Sequence, residues 1–312
     1  MLKHAYLIIA NQKFNQLKFL LRTLDDSQND IYLLIDKKSY LSKKTQNELL
    51  SSVRYSRINI YHDLTITWGD YSQIVAELYL FKKAISRQSY FYYHLLSGQD
   101  LPLYSQSYIH SFFLENPDKI FLTIPSQEIY DENKIPNRVK YDYYFIPFYG
   151  RSNLGKYSKL FFKLLEHSNF ELQKLFGKTR KREKDLPYIG YASNWVSLNE
   201  NAVYTILSQE QEIKYIFSKS YLCDELFIPT ILFKDKKFQN ELYYSKRGHD
   251  LPDELQGNLR YINWWDGSPY TWTDNDIDQI KNAREMGHLF SRKFDLEKSP
   301  NIKKLISSYC FK

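Results

Sequence analysis

The 312-residue chain has little cysteine and no long hydrophobic run. Its two cysteines, Cys223 and Cys310, allow at most one bridge, which excludes the disulfide framework of a small secreted protein and favours a reducing compartment. The apolar stretch at the N-terminus is interrupted by Asn11 and Gln12, well short of the ~20 residues that a membrane-spanning helix needs. The sequence therefore predicts neither a signal peptide nor a transmembrane span.

Loops that cradle phosphate and motifs that bind metal are also missing from the sequence. No Gly-x-Gly-x-x-Gly follows the first predicted strand and no Walker-type loop occurs, so any diphosphate must be held by side chains. The seven histidines are scattered, and neither a Cys-x-x-Cys nor a Gly-x-Ser-x-Gly motif is present. Two overlapping Asp-x-Asp triplets, at Asp274 to Asp278, could bind a hard cation, but a cap on the first turn of the following helix is the favoured interpretation.

What the chain does have is positive charge and many aromatic side chains. The net charge of +7 favours polyanions, phosphorylated ligands or an anionic lipid surface, without selecting among them. The 28 Tyr, 20 Phe and 5 Trp side chains are explained mainly by packing in a core, although they also suit stacking on sugars or bases. The basic run Lys174 to Lys184 is favoured as a solvated loop, with an anion-binding or membrane-surface patch as the alternative.

The first half of the chain alternates between strand and helix patterns. Strands are predicted at residues 5–10, 31–35, 58–62 and 90–96, and helices at 15–23, 45–53 and 71–85. Such a succession predicts an α/β fold with a mostly parallel, doubly wound sheet, which binds its ligands beyond the carboxyl ends of the strands. After residue 141 the pattern is irregular, with helices predicted at 156–170 and 200–208 and an extended segment at 195–198. The absence of repeats and of long Gly/Ser linkers predicts one domain over 1–312.

Seven stretches of the sequence resemble the core-2/I-branching family of glycosyltransferases (glycosyltransferase family 14), and they occur in the same order as in that family. That family includes β-1,6-N-acetylglucosaminyltransferases and peptide O-xylosyltransferases. The stretches are Ile31–Ser39 (IYLLIDKKS), Trp68–Ser72 (WGDYS) leading into Ala76–Leu78, Leu95–Pro102 (LLSGQDLP), Ser193–Leu198 (SNWVSL), Asp224-Glu225 with Thr230, Leu259–Trp264 (LRYINW) and Leu289–Asp295 (LFSRKFD). The resemblance covers the chain from about residue 5 to residue 295. It implies a GT-A-type fold over 1–312, made of a nucleotide-binding half, 1–140, and an acceptor and catalytic half, 141–312.

The resemblance also implies a reaction: inverting, metal-independent transfer of a sugar from a UDP-sugar to a hydroxyl group. The sugar would be N-acetylglucosamine, xylose or another hexose, and the acceptor a glycan, a glycoprotein or a lipid-linked oligosaccharide. In the family's pattern the glutamate of the Asp-Glu pair is the general base, here Glu225, while Asp224 orients or caps. Arg260 and Lys293 would stabilise the departing diphosphate, with Arg292 as a competitor for that role. No metal and no cofactor besides the UDP-sugar is expected.

The same resemblance places the nucleoside near the ends of the first two strands. Asp36 is expected to bind the uracil or the ribose, although it could equally cap the next turn, and Asn11 is a second candidate for the nucleoside. Asp100 is either a contact to a sugar or a side chain that stabilises its own turn.

The remaining candidates concern the donor sugar and the acceptor. Asn194 and Trp195 lie where family members contact sugar. Trp264, Trp265 and Tyr270 offer stacking faces for an acceptor, with burial in the core expected for at least one of them.

The sequence departs from animal members of the family, which carry an N-terminal membrane anchor, a stem and several disulfides. We therefore expect a bacterial, cytoplasmic relative, with the inner face of the membrane as an alternative location if the basic run contacts anionic lipid. Two other functions remain open from the residues alone. One is a non-catalytic sugar-binding protein on the same fold, and the other, less favoured because no nucleic-acid-binding motif occurs, is a protein that binds single-stranded nucleic acid.

Overall fold

The computed structural model describes residues 2–149, 154–177, 188–249, 251–267 and 269–311. The described strands are β1 (His4–Ala10), β2 (Asn29–Ile35), β3 (Arg57–Tyr61), β4 (Tyr92–Ser97), β5 (Leu101–Pro102), β6 (Ser197–Asn199), β7 (Arg260–Ile262) and β8 (Phe290–Arg292). Five of them form the main sheet, in the order β3-β2-β1-β4-β6, with β1 to β4 parallel and β6 antiparallel. This arrangement confirms the predicted α/β class with a mostly parallel sheet.

Helices connect the parallel strands and continue through the second half of the described chain. The described α-helices are α1 (Phe14–Thr23), α2 (Lys43–Leu50), α3 (Ser72–Ile85), α4 (Gln106–Glu115), α5 (Gln127–Glu132), α6 (Ile135–Lys140), α7 (Ile146–Tyr149), α8 (Lys156–Leu175), α9 (Glu200–Ser208), α10 (Glu210–Phe217), α11 (Phe227–Leu232), α12 (Lys236–Asn240), α13 (Ile277–Glu285) and α14 (Pro300–Cys310). The predicted strands and helices of the first half are all present, with bounds close to those predicted.

Both faces of the main sheet are buried, which explains why its strands are almost continuously apolar. Side chains alternate along a strand, so β1 buries Ala5 and Leu7 on one face and Tyr6 and Ile8 on the other. The first face packs against α3, α9, α10 and α11. The second face packs against α1 and a smaller sheet flanked by α13 and α14.

The smaller sheet has the order β5-β8-β7 and is attached to the carboxyl end of β4. The backbone amide of Leu103 donates to the carbonyl oxygen of Leu289 at 2.8 Å, and that of Phe294 donates to Gln99 at 3.1 Å. These bonds hold the end of β8 beside the loop that follows β4. The last residues of the Leu289–Asp295 motif therefore lie near the ligand-binding edge of the main sheet.

The Asp-x-Asp triplets belong to the start of a helix, as the sequence predicted. Thr273 and Asp276 form a capping box, in which the Asp276 carboxylate accepts the backbone amide of Thr273 at 2.8 Å. Asp274 accepts the backbone amides of Asn301 and Ile302, which joins this turn to α14. The capping interpretation is therefore confirmed.

Two other sequence expectations concern membranes. Of the basic run Lys174 to Lys184, only residues up to 177 are described, and the rest lies outside the described residues. Within the described part of the chain, no helix is long and apolar enough to cross a bilayer.

Candidate active site

A cavity of about 730 Å³ opens beyond the carboxyl ends of β1 and β2. This edge is where open parallel sheets bind ligands, because the helices and loops on the two sides of the sheet diverge there. Eight of the ten predicted site residues line this one cavity: Asn11, Asp36, Asn194, Trp195, Glu225, Trp264, Trp265 and Lys293. The other two, Asp100 and Arg260, do not.

Glu225 ends a short 3-10 turn, Cys223–Glu225, and presents its carboxylate to the cavity. Its Oε2 atom accepts a hydrogen bond from Nη1 of Arg138 at 2.7 Å, and the two side chains form an ion pair. Among the described residues, the other oxygen, Oε1, accepts no hydrogen bond from the protein. Burial raises the pKa of Glu225, while the charges of Arg138 and then Arg292 act in the opposite direction.

The backbone around Glu225 is fixed by close contacts with two other segments. Leu222, at φ 46°, donates its backbone amide to the carbonyl oxygen of Gly69 at 2.9 Å. Gly69 itself has φ 79°, and a Cβ atom there would lie 2.9 Å from the ring of Tyr221, so glycine is required on both counts. On the other side, the carbonyl oxygen of Glu225 accepts the backbone amide of Ala192 at 3.0 Å. These bonds fix the direction in which the Glu225 side chain leaves the backbone.

Asp224, which precedes Glu225, lies in a buried polar cluster against α3. Its Oδ2 atom accepts hydrogen bonds from Nε2 of Gln73 at 2.7 Å and Nδ2 of Asn194 at 3.1 Å. Burial, and next the charge of Glu225, raises the pKa of Asp224 to about 7. Burial also raises the pKa of Glu77, with a smaller contribution from Asp224 in the same direction. Asp224 thus ties the turn that carries Glu225 to α3 and to Asn194, which agrees with the orienting role, one of the two expected for it.

Arg292 and Lys293 line the same cavity and supply positive charge to its wall. Arg292 lies at the end of β8, with its guanidinium carbon 4.3 Å from the centre of the Trp195 ring. Its Nε atom is 3.3 Å from Oδ1 of Asp100, which is buried. Asp100 also accepts hydrogen bonds from the backbone amide and hydroxyl of Ser97, at 2.9 and 2.6 Å. Asp100 is therefore a turn-stabilising residue that supports Arg292, and it does not line the cavity.

Arg260 is placed away from the cavity, within the protein. Its guanidinium donates to the carbonyl oxygens of Asn258 and Val196 at 2.5 and 2.6 Å and to the Ser197 hydroxyl at 3.1 Å. The side chain is 1% exposed, and burial lowers its pKa to about 9. The expected contact with a diphosphate does not fit this placement, because these donors are used by buried protein oxygens. Arg292, the competitor, takes the position on the cavity wall.

We expect Arg260→Met to lower the free energy of unfolding by about 3 kcal/mol, since several buried oxygens lose their donor. Urea unfolding measures this loss, and the exposed Arg87→Met serves as the control, with a change within about 0.5 kcal/mol. Wild-type stability in Arg260→Met together with lost activity would show instead that Arg260 acts on the ligand.

Asp36 and Asn11 lie side by side on the sheet edge of the cavity. The Oδ1 atom of Asp36 accepts the backbone amides of Lys38 at 3.1 Å and Ile66 at 3.3 Å, so Asp36 stabilises its own turn. The carbonyl oxygen of Asn11 accepts the Ser39 hydroxyl at 2.5 Å. Asp36 therefore has both of the features expected of it: it caps the following turn and it faces the cavity.

The three candidate stacking rings have different surroundings. Trp264 and Trp265 are partly exposed and line the cavity. Trp265 also packs on Tyr261, with 5.5 Å between ring centres. Tyr270 does not line the cavity and donates its hydroxyl to Asp276 at 3.1 Å, within the capping box.

Arg138 is the residue of this site that the sequence did not reveal. It lies on α6, far in sequence from Glu225, and reaches it because the carbonyl oxygen of Arg138 accepts the backbone amide of Tyr221 at 3.0 Å. Its guanidinium also lies 5.3 Å from the centre of the Tyr191 ring. Neither periodicity nor a motif marks residue 138, so no signal in the sequence could have identified it.

Comparisons with solved structures find several glycosyltransferases. The chain is similar to mouse xyloside xylosyltransferase 1 in its apo form, with 11% identity, a TM-score of 0.39 and coverage of 93% of this chain and 97% of that one. It is also similar to the apo structure of the bifunctional glycosyltransferase WbbM, with 10% identity and a TM-score of 0.37, covering 92% of this chain and 45% of that one. The mannosyltransferase Ktr4p from S. cerevisiae matches with 12% identity and a TM-score of 0.31, over 72% of this chain and 66% of that one.

No curated protein matches the chain significantly. A family model does, and over most of the length: the model of the Core-2/I-Branching enzyme matches residues 4–287. That range includes every predicted site residue except Lys293 and contains the α/β sheet with its ligand-binding edge. The chain therefore belongs to the core-2/I-branching family and is a glycosyltransferase with a GT-A-like fold.

Proposed function

We propose that this glycosyltransferase moves a sugar from a UDP-sugar to a hydroxyl of a glycan, glycoprotein or lipid-linked acceptor, with inversion at the anomeric carbon and without a bound metal ion. The observation that carries the proposal is the composition of one cavity wall. A carboxylate with a free oxygen, Glu225, shares the cavity with two adjacent cations, Arg292 and Lys293. A general base and a leaving-group stabiliser are the two groups that such a displacement needs.

Glu225 acts as the base in this proposal. Its Oε1 atom takes the proton of the acceptor hydroxyl while that oxygen forms a bond to the anomeric carbon. Arg138 donates to Oε2 at 2.7 Å, which favours the ionised carboxylate and leaves Oε1 without a hydrogen bond from the described residues. Inversion needs a single displacement and one base, in contrast to the two carboxyl groups of a retaining glycosidase.

Arg292 and Lys293 act on the departing UDP. As the bond between the anomeric carbon and the diphosphate oxygen breaks, that oxygen gains negative charge, which fixed cations stabilise. Arg292 can bind two phosphate oxygens through its planar fork, while Lys293 supplies a point charge. Asp100 and Trp195 hold the guanidinium of Arg292 in place before the donor arrives.

The two ends of the cavity supply the binding contacts. Asp36 and Asn11, at the sheet edge, are proposed to bind the nucleoside, because the ends of parallel strands are the usual nucleotide site of such sheets. Trp264 and Trp265 are proposed to stack on the acceptor, since flat apolar rings pack on sugar faces. Asn194, which donates to Asp224, lines the same cavity and is proposed to contact the transferred sugar.

Removal of the Arg138 charge is expected to change how activity depends on pH. The base must be ionised, and Arg138 favours the ionised form, so Arg138→Met raises the pKa of Glu225 further. The acidic limb of the rate profile then moves to higher pH by about one unit or more, and activity recovers on the alkaline side. Sugar transfer measured across the pH range tests this expectation.

Arg138→Lys is the matched control, because it retains a cation beside Glu225 and should retain most of the wild-type profile. A uniform loss at every pH in Arg138→Met, with no displacement of the limb, would contradict a role in setting the protonation of the base.

Calorimetric titration with UDP tests the proposed donor. We expect UDP to bind more tightly than ADP, and Asp36→Ala to weaken UDP binding while the protein stays folded. Equal affinity for the two nucleotides, or no binding of UDP, would contradict the assignment of a UDP-sugar as donor.

A further inference from the structure

Helix α8, Lys156–Leu175, carries a row of large apolar side chains on its outer side. The row consists of Tyr157, Leu160, Phe161, Leu164, Leu172 and Leu175, which are between 53% and 88% exposed. At about 100° per residue these positions fall on one side of the helix, along nearly its whole length. We name this set the α8 face. An exposed apolar surface of this extent is characteristic of an interaction site.

The opposite side of α8 explains why the helix is held in this orientation. Glu166 is buried and accepts the backbone amide of Phe145 at 2.6 Å. Gln173, also buried, accepts the backbone amide of Asp142 at 2.9 Å and donates to its carbonyl oxygen at 2.8 Å. This side of α8 also packs Phe162 on Phe148 and Phe170 on Tyr143, with 4.5 and 4.8 Å between ring centres. The helix therefore has apolar side chains on both sides, whereas a usual surface helix has them mainly on the side that faces the core.

Lysines border the α8 face along one edge. Lys156, Lys163 and Lys174 fall on the same side of the helix, next to the apolar row, and all three are exposed. The one acidic side chain within the row, Glu171, is bonded to Lys174 at 2.7 Å. An apolar face with a basic border is the composition of helices that lie in the interface of an anionic membrane.

We propose that the α8 face binds the surface of an anionic lipid bilayer, with its apolar side chains among the acyl chains and its lysines at the phosphates. A second copy of the chain is a less suitable partner for the α8 face. Its own α8 face would bring the same lysines and no row of acidic side chains to pair with them. Residues 178–187 (KTRKREKDLP) fit less well too, because their sequence holds few apolar side chains that could cover the face. The proposal does not depend on the proposed donor or reaction.

Cosedimentation with vesicles tests this proposal. We expect the protein to pellet with vesicles of phosphatidylcholine mixed with phosphatidylglycerol, and less with phosphatidylcholine alone. Combined Leu160→Gln, Leu164→Gln and Leu172→Gln should lower the partition coefficient at least about tenfold, since the buried apolar area is lost. Combined Lys156→Gln, Lys163→Gln and Lys174→Gln should remove the preference for anionic vesicles, as added salt does for the wild type.

The control replaces exposed apolar side chains of other helices, Leu114→Gln on α4 and Tyr204→Gln on α9, and should bind as the wild type does. Circular dichroism confirms that each variant is folded. Equal vesicle binding by the wild type and the leucine variant would overturn the proposal, as would no binding at all. A dimer in solution that the leucine substitutions abolish would assign the face to a second copy instead.

Discussion

Glu225→Gln is expected to lower the rate of sugar transfer by about two to four orders of magnitude, the usual contribution of a general base. Glutamine has nearly the same shape and can still accept a hydrogen bond from Arg138, but its amide cannot take a proton from the acceptor hydroxyl. UDP affinity should stay close to the wild-type value, because the carboxylate is proposed to meet the acceptor and not the nucleotide. Steady-state kinetics and UDP titration together measure the two effects.

Glu128→Gln is the matched control for this substitution. Glu128 lies in the first turn of α5 and is exposed, so loss of its charge should leave the transfer rate unchanged. A Glu225→Gln enzyme that retains wild-type turnover would show that another group takes the proton. The buried carboxyls of Asp224 and Glu77 would then be the next candidates.

Lys293→Met is expected to lower turnover by about two to three orders of magnitude, since fixed positive charge at a developing anion has contributions of this size. Methionine retains much of the apolar stem of lysine and removes the positive charge of a residue that lines the cavity. The loss should be larger for donors with a poor leaving group than for activated donors, because the latter depend less on charge stabilisation. Turnover with a natural and an activated donor measures this difference.

Lys298→Met is the control, because Lys298 is an exposed lysine near the same β8 segment, and its ion pair with a described residue is a long one, 4.0 Å to Asp295. It should retain wild-type turnover and stability. An active Lys293→Met enzyme would contradict the role of Lys293 and assign the diphosphate to Arg292 alone. Arg292→Met should then show the loss of turnover that is expected here for Lys293→Met.

Much of the fold could be predicted from the sequence, because each element depends on its own residues. The apolar run of β1 and the amphipathic pattern of α3 are local signals, and both elements are found at the predicted positions. The turn at Asp274 to Asp278 is likewise local, since the capping box needs only Thr273 and Asp276.

Part of the cavity lining could be predicted from the sequence, because residues that directly follow parallel strands lie at one edge of the sheet. Asp36 directly follows β2, and the parallel sheet brings it to the same edge as the residues that follow β1. Arg138 was not predictable, because its contact with Glu225 depends on how α6 packs against a distant turn. The sequence motif singled out Arg260, but the direction of its side chain could not be predicted. Arg260 and its neighbour Tyr261 are both buried, and the sequence motif does not show that the guanidinium is bonded to oxygens inside the protein.

The polar cluster around Asp224 could not be predicted from the sequence either, because it also depends on the packing of distant elements. Gln73 lies on α3 and Asn194 precedes β6, yet both donate to one oxygen of Asp224. Each residue alone has no property that marks it as a partner of Asp224. Their convergence follows from the packing of α3 beside the turn at Cys223–Glu225, which is set by the whole sheet and not by local sequence.

The most direct test of the central claim is the release of UDP from a panel of UDP-sugars in the presence of a chelator, with wild-type enzyme and Glu225→Gln compared. The panel contains N-acetylglucosamine, xylose, glucose and galactose as the donor sugar, together with a mixture of glycan acceptors. We predict that one donor is consumed, that its turnover survives chelation, and that it collapses in Glu225→Gln. Turnover that requires an added divalent cation, or that is equal in the two enzymes, would contradict the proposed mechanism.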